Sequence, residues 1–298
     1  MDNFDDIFAP KGRRDDFFDQ PFNVDEWAEK KQTERQELYA VADSTAAVAV
    51  SNGEYFQQYL DTQARFGGYS PTNVLLIIAQ RPDATQLKEF DDWKEAGFSI
   101  KKNEKGFCIL KPGDEYTRDD GTIGTGFDVK RVFDISQTTA RPRTQPTATV
   151  DDRTLLKALI NRSPVPMQMV DSLDGNMGAL YDHDQQVIFV RRGMDAHDLF
   201  RCVSKELAHA EIAGTRENYD RREASLAAYS ASYILCRQNN VQPENRGFAA
   251  VPGELAGKGP QEIRAALTEI HDTAKTISNR MYRVLEQARN PKPRDQER

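Results

Sequence analysis

Three features of the sequence predict an α+β protein in two domains. Residues 66–111 alternate helix punctuation with short strand-like runs. Residues 138–150, TTARPRTQPTATV, are rich in Thr and Pro without periodicity and read as a linker. Beyond them, two strand candidates lead into a series of amphipathic helices. The predicted N-terminal domain is helices with a β-hairpin or small sheet, and the C-terminal one is mainly helical with a small sheet. A length of 298 residues suits about two domains.

Taken in order, residues 1–26 alternate acids with Phe and have neither helical nor strand period, so a disordered acidic arm is expected. An arm that docks on basic surface or mimics nucleic acid is the alternative. Residues 25–47 turn helical, with Trp27, Leu38 and Val41. Residues 55–66 give a second helix with Tyr55, Phe56, Tyr59 and Leu60 in contact positions. Ser70 caps a third, with Pro71 at its first position, where a missing N–H costs nothing. Thr85 starts a fourth helix carrying Leu87, Phe90 and Trp93, stopped by Gly97. Strand-like runs 98–102 and 107–110 flank Asn103–Gly106 and read as a hairpin. Residues 113–126 form a polar, glycine-rich connection to a strand at 127–135.

In the second half a helix covers 151–161. Strands at 178–181 and 186–190 flank an Asp182–Asp184 turn, and Asp195 caps a helix running to Ala213. Further helices span 221–238 and 260–287.

Composition narrows the function. At 38% hydrophobic and 29% charged the chain reads as soluble. The longest apolar run, Val74–Ala79, is far too short for a bilayer, and no secretory h-region opens the chain, so no membrane is expected as partner. Cys108, Cys202 and Cys236 form no C-x-x-C pair, which fits free thiols in the cytoplasm. The net charge is −7, with nine acids and four bases in the first 30 residues. The body is therefore near neutral, and any nucleic-acid footprint must be a local patch.

Such a patch is present. Single strands are held by aromatic platforms and by cations that track phosphates. Arg65, Tyr69, Lys101, Lys102 and Lys105 fall within one stretch, with Trp93 and Phe98 between them and Lys130 and Arg131 on the following strand. Ser70 and Asn73 add a helix N-terminus suited to phosphate, and a Tyr just before an N-cap is expected to be exposed. Trp93 at helical spacing from Leu87 and Phe90 reads equally as core, and the lysines equally as a solvated hairpin edge.

The ordered blocks YSPTN, LLIIAQRPDAT, F--W, IKKNEKG and FDISQT, from Tyr55 to Thr138, resemble the N-terminal domain of ArdC-type antirestriction proteins of conjugative elements. The overall layout resembles their LtrC-like members. The resemblance implies a single-stranded-DNA-binding domain over 27–137, with single-stranded DNA as partner and restriction or conjugation proteins as further ones. The second domain, 151–298, then corresponds to a zincin-like peptidase domain.

The chemistry of that domain is degraded. In H-E-x-x-H the two histidines share a helical face and ligate one metal, while the glutamate acts as general base. Here the frame reads Lys205-Glu206-Leu207-Ala208-His209. An ammonium offers no lone pair and repels a dication. The resemblance implies an acidic third ligand near Tyr229, and Glu223 is the carboxylate at hand. His183, His197 and His271 are not spaced to join His209. No catalytic residue, metal or cofactor is therefore expected. Lys205 reads either as a charge that replaces the metal's by pairing with Glu206 or Glu223, or as an ordinary surface ion pair on an amphipathic helix. The competing readings are a zinc peptidase with an unusual ligand set and a non-enzymatic interaction scaffold.

Overall fold

The computed structural model describes residues 23–117, 123–140, 150–244, 247–255 and 257–289. Residues 1–22 of the expected acidic arm, residues 118–122 of the glycine-rich connection, residues 141–149 of the linker and residues 290–298 lie outside them.

Helix α1 (Val24–Ala49) is followed by α2 (Gly53–Arg65) and α3 (Pro71–Gln80). Asn52 caps α2 through Tyr55 N–H, and Ser70 caps α3 through Asn73 N–H. Phe56, Tyr59 and Leu60 are buried, but Tyr55 is exposed. Val74 to Ile77 are wholly buried, because α3 runs between α1, α2 and the first sheet.

That sheet is antiparallel, in the order β1-β3-β2, with β1 at Leu87–Glu89, β2 at Phe107–Thr117 and β3 at Ile123–Asp134. It corrects two expectations. The helix foreseen from Thr85 is confined to α4 (Phe90–Glu95). Asp134 Oδ1 accepts from Thr85 and Gln86 N–H at 2.7 and 2.9 Å, drawing Leu87–Glu89 onto β3 as a strand. The hairpin is also different. Strand β2 pairs with β3, whereas 98–106 forms a loop turned by Asn103 at φ 67° and pinned by an Ile100–Thr138 bridge. Local sequence marks the turn but not the partner, which lies beyond the glycine-rich segment. Thr139 N–H also bonds Ser99 O, so the first three linker residues belong to this half.

The second half begins with α5 (Asp152–Ile160), capped by Asp151. Strands β4 (Met167–Val170), β5 (Ala179–Asp182) and β6 (Val187–Arg191) form a sheet in the order β4-β6-β5. Strand β4, parallel to β6, carries no alternating pattern of burial and was not foreseen. Helices α6 (Ala196–Thr215), α7 (Arg221–Gln238), α8 (Val251–Leu255) and α9 (Pro260–Arg289) complete the fold, with Asp195 and Asp220 capping α6 and α7. None of the described helices is long and apolar enough to cross a membrane.

The two halves keep separate sheets but share a core. Helix α2 packs on α7, and α1 and α3 pack on α9. Phe56 and Tyr59 from the first half join Tyr233, Phe248 and Ile270 from the second in one buried cluster. Across this seam Tyr233 donates to Asp61 Oδ1 at 2.9 Å, and Arg264 pairs with Asp43.

Candidate nucleic-acid interface and the Lys205 cleft

The structure sorts the predicted nucleic-acid residues into three places. The loop between α4 and β2 gathers Lys101, Lys102 and Lys105, all exposed. Lys101 Nζ donates to Ser136 O at 2.8 Å. Glu104, the loop's acid, accepts from Gln137 Nε2 at 2.9 Å, which ties its carboxylate to the 135–137 turn. Arg131 borders the same loop: a Cβ on Gly106 would meet its Cγ and the Val132 carbonyl at 2.6 and 2.8 Å. Glycine is thus required where the loop returns to the sheet. Phe98 lies at the foot of the loop, 38% exposed, with its ring 6.2 Å from Trp93 in an edge contact. Trp93 itself is core, 2% exposed, and donates Nε1–H to Phe133 O.

Tyr69 stands apart from this cluster. It is half-buried rather than exposed, edge-on to Phe66, with Lys111, Glu89 and Asp92 as charged neighbours. Burial holds its phenol above the usual range. Lys111 is engaged by Glu89. Ser70 uses its hydroxyl in the cap, and Asn73 is buried, with its amide bonded to both main-chain groups of Leu110. Neither presents a free helix N-terminus to phosphate. Lys130 pairs with Asp128 at 3.7 Å.

Arg65 belongs to a third place, the seam between the halves, where it lines a cavity with Asp61, Arg237 and Gln238. The signal for separating these groups is tertiary. Arg65 sits at the end of α2, Tyr69 in the turn before α3 and the lysines in the loop before β2, and local sequence does not say how these segments are placed relative to one another.

In the second half, Lys205 and His209, one helical turn apart on α6, line a single cavity of about 360 Å³. Glu206, between them, turns inward and is 0% exposed. Its carboxylate accepts from Tyr181 N–H at 2.9 Å and from Arg221 Nη2 at 2.9 and 2.8 Å. Lys205 Nζ lies 3.8 Å from it. The expected Lys205–Glu206 pair therefore exists only as a long one. Arg221, the first residue of α7, is the main partner and was missed, since nothing in the spacing links it to the 205–209 frame.

His209 is 2% exposed, and Tyr219 OH lies 3.0 Å from its Nδ1. Burial, then Arg221 and Lys205, pushes its pKa down from 6.5 to about 3, so the ring is neutral. Tyr219 also stacks near His183, with centroids 4.9 Å apart, so a phenol connects two histidines that sequence spacing kept separate. Glu223 is exposed, outside the cavity lining, with Arg216 as a charged neighbour. Tyr229 lines the cavity and donates to Glu244 O at 2.8 Å.

This donor set does not fit a dication. One imidazole faces two cations, and the carboxylate that would serve as general base is held by a guanidinium. Among the described residues no three His, Cys, Asp or Glu side chains converge for a metal.

No protein-family model matches the chain. An uncharacterized protein of Bacillus anthracis is 24% identical over 297 residues, covering 78% of this chain and 49% of that protein. The chain thus spans about half the length of the relative it matches. The Mn(II)-bound crystal structure of the antirestriction protein ArdC from plasmid R388 superposes with a TM-score of 0.51 at 18% identity, covering 75% of this chain and 86% of that one. Its metal-free form gives 0.49 at the same identity. The chain has the ArdC fold.

Proposed function

We propose that this ArdC-fold chain binds single-stranded DNA through its 98–106 loop and serves antirestriction on a mobile genetic element. The cleft at Lys205 is then a zincin-like peptidase site without its metal. The observation that carries the DNA reading is the loop itself. Three lysines and Arg131 surround a backbone turn whose acid is tied back to Gln137, and a partly exposed Phe98 stands beside them. Cations that follow phosphates next to an aromatic face that can stack a base are what sequence-tolerant single-strand binding requires. A duplex withholds its base faces from such a platform, so preference for single strands follows. The antirestriction role rests on the shared fold with the R388 protein. Restriction or conjugation proteins would be further partners.

Fluorescence anisotropy with a labelled oligonucleotide, single-stranded and then annealed to its complement, tests the reading. Tighter binding of the single strand is expected. Equal affinity for both, or none for either, would remove it.

A further inference from the structure

We propose that the Lys205 cleft is a binding site for a small organic carboxylate with an apolar body, such as the C-terminal residue of a peptide. The polar end of the cavity carries Lys205, Arg221 and His209. The Arg221 guanidinium is committed to Glu206 and also reaches the Tyr181 carbonyl at 3.4 Å. Lys205 is not so committed: its side chain is a quarter exposed, and its ammonium lies 3.8 Å from a carboxylate that already has closer donors. Two cations thus face one buried anion, leaving a net positive charge at the cavity's inner end. His209 adds a donor when the Tyr219 phenol, 3.0 Å from Nδ1, gives its proton there, because the neutral ring then carries its hydrogen on Nε2.

The other walls are mainly apolar, with Met177, Leu226, Phe248 and Val251 beside Ser225 and Tyr229. Glu254, exposed on α8, is the acid of the lining, where partial burial raises its pKa and Lys258 lowers it. A volume of about 360 Å³ accepts one amino-acid-sized group rather than a folded chain. A carboxylate on Lys205 and His209 with a hydrophobic side chain against Phe248 uses both ends. The site needs neither metal nor the DNA loop.

The test is isothermal titration of the whole protein, in chelator, with three probes: N-acetylphenylalanine, its uncharged amide, and inorganic phosphate. The acid is expected to bind, and the amide and phosphate to bind at least roughly tenfold more weakly, each lacking one half of the recognition. Lys205→Met should reduce affinity for the acid by roughly tenfold, and Lys205→Arg should restore it. Circular dichroism confirms that both variants are folded. Failure of the acid to bind, equal binding of the amide, unchanged affinity in Lys205→Met, or binding that appears only with added divalent metal would each overturn the proposal. Phosphate binding as tight as the acid would reduce the site to a bare anion hole and overturn its apolar half.

Discussion

Arg221 donates to both carboxylate oxygens of Glu206, at 2.9 and 2.8 Å, in a place where Glu206 has no solvent contact. A buried carboxylate is costly unless paired, and removing one partner is far worse than removing both. Arg221→Met should therefore lower stability by about 3 kcal/mol, at the lower end for buried pairs because the guanidinium is partly solvated. The double variant Arg221→Met with Glu206→Gln should recover most of the loss. Urea unfolding of the four proteins checks this, and additive losses in the double variant would contradict a coupled pair.

Asn73 and Gln80 on α3 perform a different task. Strand β2 is an edge strand, and its outward groups at Leu110 and Cys108 would be unpaired. The Asn73 amide bonds Leu110 N–H and C=O at 2.8 and 2.7 Å, and Gln80 bonds Cys108 at 3.0 and 2.9 Å. Asn73→Ala leaves two buried main-chain groups unsatisfied and should cost about 2–3 kcal/mol. Gln80→Ala, at an exposed position, should cost about 1 kcal/mol or less. Hydrogen exchange should speed up at Leu110 in the first variant and at Cys108 in the second.

Stability should fall in mild acid because of His209. Its folded pKa lies near 3 against 6.5 in the unfolded chain, so below 6.5 the unfolded state binds more protons. This contribution is fully present above about pH 7 and is lost as pH falls toward 3. Between about pH 7 and 5 the loss is roughly 2 kcal/mol. His209→Gln should flatten that part of the stability–pH curve, and an unchanged slope would exclude His209 as its source.

Much of this was readable in the chain, and what was not has a physical pattern. Ser70, Asp151 and Asp195 were legible as caps because a cap is a local bond between near neighbours in sequence. Lys205, Glu206 and His209 were legible as one helical frame for the same reason. Strand partnership was not, because β2 finds β3 beyond a glycine-rich segment, while β4 and β6 lie on either side of β5 in sequence. Arg221 and Tyr219 escaped notice because they reach α6 from the following turn and helix. Asn73 misled in the opposite way: its place in the first turn of α3 suggests phosphate, but the helix faces β2 there.

Phe98, 38% exposed at the foot of the lysine loop, is the residue proposed to stack a base, in place of the half-buried Tyr69. Phe98→Ala should weaken single-strand binding by roughly 1–3 kcal/mol. Tyr69→Ala should instead destabilise the fold, because the ring is half-buried against Phe66. Binding measured beside thermal melting separates the two; the opposite assignment would appear as a large melting shift for Phe98→Ala with proportionate loss of binding.

The salt dependence of single-strand affinity tests the loop most directly. If Lys101, Lys102, Lys105 and Arg131 each neutralise one phosphate, the log–log slope should be near −3, at roughly 0.7 per contact. From about 50 to about 200 mM salt, affinity then falls on the order of 50-fold. With the three lysines replaced by Ala the slope should flatten to about −1. A slope that is the same in parent and triple variant would contradict single-stranded DNA binding by this loop.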